Sequence, residues 1–261
     1  MHWVIDRMIS NEVSAERLLA ALDEARTPYT LVKKPPFADH IVSVDDNDKP
    51  LDLQIEGPVF VSGSTAMMSV SKARGWSPGY IDAPSLDECL DHWHGHMLNS
   101  DLYTGPLATI RPAVGAFFIR PVNDGKAFAG SVLNPDKFDA WKARLLDGDG
   151  YAALSPDTQV AIASVKSILR EYRCLVVDGE FITASRYKVG QRVSYSPGAP
   201  GEIASFVQSR ADEWSPRRAF ILDVAETDHG VRIVENNSVS SAGFYAMDMH
   251  RYVTAINRIG S

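Results

Sequence analysis

The sequence predicts an α+β fold with an α/β layer at its N-terminal end. Three observations point there. Roughly the first 80 residues run strand, helix, strand, strand, helix, the order of a small α/β layer. The C-terminal half carries two strand pairs closed by turn residues, Asp178-Gly179 and Asp228-His229-Gly230. The composition, 45% apolar and 23% charged over 261 residues, is that of a globular chain long enough to bury a core, which excludes wholesale disorder.

The elements follow in order. Val4 and Ile5 lie in a short apolar strand. Leu18, Leu19 and Leu22 form one apolar stripe at helical spacing, so residues 14–26 read as a helix with Ser14 as N-cap, stopped by Thr27-Pro28. Tyr29 to Val32 is a second strand, and the polar stretch 39–56 a loop holding one short strand, Ile41 to Val44. Pro58 to Ser64 is a buried strand entering a small-residue turn, followed by a helix from Thr65 to Arg74 that Gly75 ends. Ser85 to Leu98 reads as helix, 106–135 as strand-like runs including Ala116 to Ile119, and Pro135 to Leu146 as helix before the turn at 147–150. After the two hairpins, Met247 to Ile259 closes the chain as a helix.

Charge and cysteine content narrow the function classes. Net charge is −7, from 26 basic and 33 acidic residues, which argues against a nucleic-acid coat or a polybasic membrane binder. The two cysteines, Cys89 and Cys174, exclude a disulfide framework and read as buried, inert thiols. No apolar run is long enough to span a bilayer and the N-terminus lacks signal-peptide character, so the expectation is a cytoplasmic protein with neither membrane nor nucleic acid as partner.

The hairpins carry the chemistry. If Val177 faces Glu180, Glu171 pairs with Arg186 and Arg173 with Ala184, and alternation puts Glu171, Arg173 and Arg186 on one face. Such a face binds phosphate or carboxylate, or forms a plain cross-strand ion pair. In the second hairpin, pairing Thr227 with Val231 sets Asp223 opposite Glu235, with Asn237 two residues on, while Phe220, Leu222, Val224 and Val234 fill the other face. Two carboxylates directly across a hairpin repel. A hard divalent cation such as Mg²⁺, held by Asp223, Glu235 and Asn237, relieves that repulsion; a solvated polar face is the competing reading.

Three further segments have two readings each. Arg120 and Lys126 bracket a turn-rich stretch, either a phosphate-holding loop or an ordinary hairpin tip. Ser62-Gly63-Ser64-Thr65 opens a helix, either as an anion site for a substrate carboxylate or as an N-cap. His92, His94 and His96 tempt a zinc reading but lack a metal-ligand pattern, and solvated or hydrogen-bonded histidines on a helix are the better account.

In order and spacing the motifs resemble the ATP-grasp carboxylate–amine ligases, within a divergent clade known from phage and bacterial genomes. Asp223 in one strand, then Glu235-Asn-Asn237 ending the next, resembles that family's metal signature. Phe117-Phe-Ile-Arg120-Pro121 stands where many members have a strand ending in Lys-Pro, and 122–130, with Lys126, where they have a glycine-containing phosphate loop. Glu171-Tyr-Arg173 and the hairpin after it resemble the central hairpin.

The resemblance implies an ATP-grasp-like domain over 106–261, with nucleotide between sheet lobes, behind an α/β pre-grasp domain over 1–105. It implies ATP and Mg²⁺ as cofactors, with Asp223, Glu235 and Asn237 on the metal. Arg120, Lys126 and Arg173 become catalytic cations on the phosphates. Glu171 and Arg186 join the nucleotide site, and Val165 and Lys166 form the adenine hinge. The implied reaction joins a small-molecule or peptide carboxylate to an amine through an acyl phosphate. An ATP- and magnesium-binding module without ligase activity, and a small-molecule kinase, stand as alternatives, and a homodimer stays open as the assembly.

Overall fold

The computed structural model describes residues 1–7, 12–45, 49–112, 114–122, 128–148 and 154–260, with 12–14 as backbone only. The chain divides into two compact units, Met1–Pro84 with Ile168–Ser261, and Ser85–Ser167. This partition by packing is distinct from a sequence-order boundary near residue 105.

The larger unit begins with β1 (His2–Asp6), α1 (Glu12–Glu24), β2 (Tyr29–Lys33), β3 (Val42–Ser43), β4 (Val59–Ser62), α2 (Met67–Ala73) and β5 (Pro78–Gly79). They form a sheet in the order β3-β2-β1-β4-β5, with β1 parallel to both β2 and β4. A parallel sheet covered on both faces needs apolar residues at successive positions, and β4 is buried throughout. Trp3, Ile5 and Phe60 face α1, while Val4, Val59 and Val61 face Met67 and Val70 of α2. Helix α1 starts at Glu12, so Ser14 lies within the helix rather than at its cap.

The smaller unit holds α3 (Leu86–Trp93), a 3-10 turn over His94–His96, β6 (Tyr103–Pro106), β7 (Phe117–Pro121), β8 (Ser131–Leu133), α4 (Pro135–Asp147) and β9 (Gln159–Ser164). Ser85 and Glu88 form a reciprocal capping box that starts α3. The four strands are antiparallel, in the order β6-β9-β7-β8. Phe117 and Ile119 of β7 and Val160 and Ile162 of β9 pack on Phe138 of α4. Phe118 and Arg120 therefore stand on the opposite face of that sheet.

The chain then returns to the larger unit with β10 (Ile168–Val177), β11 (Glu180–Val189), β12 (Arg192–Pro197), α5 (Gly201–Glu213), β13 (Ala219–Thr227), β14 (Gly230–Asn237) and α6 (Met249–Arg258). The sheet order is β12-β11-β10-β13-β14, all antiparallel. Helix α6, capped by Asp248, supplies Tyr252, Val253 and Ile256 to a core shared by Trp3 and Phe60 of the first sheet and by Leu175, Val177, Ala219 and Ile221 of this one. Helix α5 and edge strand β12 are absent from the sequence reading; the alternation in Arg192–Pro197 is the signal for β12. Among the described residues no helix is long and apolar enough to cross a membrane.

Both hairpin registers depart from simple turn counting. Asp178 and Gly179 both have positive φ, as a primed two-residue turn requires, and Val177 pairs with Glu180 as expected. Irregularities at Leu175/Val176 and at Glu171/Tyr172 then shift the ladder by a residue each time. Arg173 therefore faces Ser185 instead of Ala184, and Glu171 faces Lys188 instead of Arg186. Arg186 pairs with Tyr172, so it lies on the opposite face from Glu171 and Arg173. In the other hairpin Thr227 pairs with Gly230, one residue tighter than expected, and a bulge between Asp223 and Val224 restores Asp223 opposite Glu235. The extra residue there is Val234, while Ile233 pairs with Val224 and is fully buried.

Candidate functional site

One face of the second sheet changes character along its strands. Near the Asp178-Gly179 turn it is apolar, with Leu175, Val177, Ala219 and Ile221 in the core. Two residues further along each strand, alternation puts Arg173, Asp223 and Glu235 on the same face, with Glu171 and Asn237 beside them. The polar cluster thus grows directly out of the core, and rigid strands position it.

Its centre is a pair that neither hairpin contains by itself. Strand β10 runs beside β13, and Arg173 lies directly across from Asp223. The guanidinium grips the carboxylate as a fork, Nε to Oδ1 at 2.9 Å and Nη2 to Oδ2 at 2.7 Å. Asp223 is 1% exposed and Arg173 8%. Nη1 of Arg173 also donates to the Gly243 carbonyl at 3.2 Å. The guanidinium lies 4.6 Å from the ring centre of Tyr245 and 5.8 Å from that of Tyr187. Tyr245 stacks between Tyr187 and Tyr195, each at 5.1 Å, and holds a left-handed backbone, φ +48°.

Asn237 donates one Nδ2 to both carboxylates, 3.2 Å to Asp223 Oδ2 and 3.0 Å to Glu235 Oε1. The repulsion expected between the two acids is therefore relieved internally, by a fork on one side and an amide between them. Burial raises the Asp223 pKa to about 6, Glu235 and Glu171 push the same way, and Arg173 opposes them. Asp223 is thus ionised at neutral pH. Burial depresses the Arg173 pKa, but the Asp223 charge outweighs it and the net shift is upward. Below this pair, Glu171 accepts from the Tyr187 hydroxyl at 2.7 Å and pairs with Lys188 Nζ at 2.9 Å. Burial and the charges of Asp223 and Glu171 keep the Tyr187 phenol protonated.

The donor chemistry here fits a hard divalent cation. Glu235 and Asp223 supply carboxylate oxygens, and Asn237 presents its amide oxygen once the amide is turned over. A cation held here would compete with the Arg173 fork for the Asp223 carboxylate. Among the described residues no group of three or more His, Cys, Asp or Glu side chains is placed to hold a metal ion.

The remaining sequence-derived residues fall elsewhere. Arg186 donates Nη2 to Ser194 Oγ at 3.2 Å, on the far face. Arg120 is half-buried on β7 across from Ala161, its Nε 3.3 Å from the Pro121 carbonyl. Lys126 lies outside the described residues. Val165 is 45% exposed in the short connection between β9 and β10. Beside it, Lys166 Nζ pairs with Asp101 Oδ1 at 2.7 Å, and Ser164 donates to the other carboxylate oxygen through N and Oγ. Burial works against the Asp101 charge, but these donors prevail and bring its pKa down to about 2. The sequence reading missed Tyr187 and Lys188, which sit on the strand already singled out and were hidden by the register shift. Gly243 and Tyr245 come from the small, polar stretch after β14, which the sequence reads either as the acceptor end of a cleft or as a plain loop before the last helix.

Comparison with known proteins agrees with this architecture. A family model for the ATP-grasp domain, the second family of its clade, matches residues 101–255. No curated protein matches the sequence. Among solved structures, D-cycloserine synthetase DcsG is similar at 12% identity over 99% of both chains, with a TM-score of 0.62. D-alanine–D-alanine ligase from Bacillus anthracis matches at 11% identity over 98% of this chain and 92% of that one, with a TM-score of 0.58. ATP-grasp ligase PsnB, complexed with a minimal precursor, matches at 14% identity over 100% and 99%, with a TM-score of 0.56. At such identities these likenesses establish a shared fold.

Proposed function

We propose that this chain, which belongs to the ATP-grasp domain family, is an ATP-dependent carboxylate–amine ligase. In this reaction a substrate carboxylate oxygen attacks the γ-phosphorus of ATP, the bond to the β-phosphate oxygen breaks, and ADP leaves. An amine then attacks the acyl carbon of the resulting acyl phosphate. Its C–O bond breaks, inorganic phosphate departs, and the amine loses a proton as the amide forms.

The observation that carries the reading is the Arg173–Asp223–Asn237–Glu235 constellation on one sheet face. It puts hard oxygen donors and a fixed guanidinium side by side, the pair of functions that phosphoryl transfer needs. Asp223, Glu235 and Asn237 would hold Mg²⁺, which when bound neutralises phosphate charge and polarises the transferring group. Arg173 would present Nη1 and its ring-stacked face to the phosphoryl oxygens, pre-oriented by Tyr187 and Tyr245. Glu171, held by Tyr187 and Lys188, would keep that cationic neighbourhood balanced. The family pattern further assigns Arg120 and Lys126 to the phosphates and the 165–166 connection to adenine. Arg186 enters this assignment only through the pattern, since its side chain bonds Ser194.

A thermal-shift titration with Mg²⁺-ATP, on wild type and on Glu235→Gln, tests the nucleotide site. Binding to the native state raises its stability by mass action. A magnesium-dependent rise that shrinks in the variant supports the reading, and no rise at millimolar nucleotide overturns it. ADP release that needs both a carboxylate and an amine identifies the ligase. Phosphorylated product without amine identifies a kinase, and binding without turnover over a broad acceptor panel identifies a binding module.

A further inference from the structure

In the smaller unit the β6–β9 ladder ends with Tyr103 opposite Ile162, while β9 runs on to Ser164. Continued by two residues, that register puts Asp101 opposite Ser164. The backbone turns there instead of pairing, with the Leu102 N–H on the Asn99 carbonyl at 3.1 Å. The Asp101 side chain takes the place that the ladder would have filled. Its Oδ2 accepts from the Ser164 N–H at 3.1 Å and from Ser164 Oγ at 2.6 Å.

Lys166 closes a ring on the same two residues. Its Nζ donates to Asp101 Oδ1 at 2.7 Å, to the Ser164 carbonyl at 3.3 Å and to Ser164 Oγ. An ammonium has three donors, and this ring uses all three. A lysine beside a nucleotide is a natural phosphate partner, yet this one is spent on a carboxylate of its own unit. The pair is not a stability device, because Asp101 and Lys166 side chains are 43% and 25% exposed and an ion pair in water is worth little.

What the ring does is fix a short piece of backbone. Ser164 and Lys166 are both held, and Val165 stands between them with its side chain exposed. Among the described residues, neither the N–H nor the carbonyl of Val165 or Lys166 meets a protein partner. Two successive peptide groups, held in place by side chains while their own donors and acceptors stay open, make an edge that a ligand can read by hydrogen bonds.

We infer that Asp101 is a positioning residue for the nucleotide base. Through Ser164 and Lys166 it fixes the 165–166 peptide groups that meet adenine, and it keeps the Lys166 ammonium off the phosphates. The inference rests on the reading that gives the 165–166 connection to adenine; Asp101, which comes from the turn before β6, has no part in that reading.

The test is calorimetric titration of Mg²⁺-ATP and Mg²⁺-GTP into wild type, Asp101→Asn, Lys166→Met and the double variant, each shown to melt cooperatively. Wild type should prefer ATP by about tenfold or more, because peptide groups set for adenine meet the reversed donor and acceptor of guanine. Asp101→Asn should weaken ATP about tenfold and leave GTP within about twofold, so that the preference shrinks. Lys166→Met should do the same, and the double variant should bind no more weakly than the weaker single one, since both act through one ring. Lys166→Met decides the matter if Asp101→Asn does not fold. Tighter ATP binding by Asp101→Asn would mean that the freed ammonium meets phosphate, and it overturns the inference. Equal losses for ATP and GTP reduce Asp101 to a structural staple and overturn it too, as does a wild type that binds both nucleotides alike. Hydrogen exchange of the Ser164 amide, whose protection should fall in Asp101→Asn, follows the ring itself in the same samples. Lost protection with unchanged ATP affinity sinks the inference and leaves the nucleotide reading standing. No Mg²⁺-ATP binding by folded wild type sinks that reading, and the inference with it.

Discussion

The β10–β11 and β13–β14 hairpins lie in one sheet and each turns through two residues, yet they carry their registers to the site differently. In the first, the Asp-Gly turn sets the pairing as expected, and two shifts later every pair at the site has moved. In the second, the turn is tighter than expected, and a single bulge at Val234 brings Asp223 back opposite Glu235. A turn therefore governs register only as far as the next bulge. One shift, at Leu175/Val176, lies in the core, while those at Glu171/Tyr172 and at Asp223/Val224 lie beside the polar cluster and re-aim its side chains. The first hairpin contributes cations and phenols, the second oxygen donors, and the β10–β13 ladder joins them.

The sharpest way to break this arrangement is to remove the buried ionic bond between the hairpins. Arg173→Met leaves Asp223 buried without its fork, and denaturant unfolding should show a loss of about 3–5 kcal/mol. The Mg²⁺-ATP thermal shift should vanish with it. A loss under about 1 kcal/mol would mean that the hairpins hold together without the pair. Tyr187→Phe acts within the first hairpin by deleting a buried hydroxyl–carboxylate bond. The expected cost is about 1.5–3 kcal/mol by the same measurement, since a hydrogen bond to a charged group is lost.

Acidity probes the second hairpin. Asp223 titrates near 6 in the fold against an ordinary 3.8, so folding favours its protonated form. Its contribution to stability is complete below about pH 4 and is lost as pH rises through about 6. Under the proposed function, metal-nucleotide binding would need the ionised form and should run the other way, weakening about tenfold between pH 7 and pH 5 in calorimetric titrations. A flat profile over that range would place the metal away from Asp223. The smallest effect belongs to Arg186→Ala. With its side chain on the far face, nucleotide affinity should stay within about twofold and stability within about 1 kcal/mol. A larger loss of affinity would return Arg186 to the site and show that the far face matters.

What the sequence determined by itself was local. Asp178-Gly179 dictated a primed turn because few residue types accept positive φ at both positions. Leucine spacing dictated α1, and alternation dictated which residues of β10, β13 and β14 share a face. Asp223 opposite Glu235 was legible because the pair lies within one hairpin. The tertiary structure decided what is not local. Arg173 meets Asp223 across 50 residues of chain, and a sequence read strand by strand holds no signal for which hairpin neighbours which. That choice follows from burying Leu175, Val177, Ala219 and Ile221 against α6 and the first sheet in one core. The same burial strips water from Asp223, so its charge must be met by the nearest donors, and the packed sheet supplies Arg173 and Asn237 to meet it.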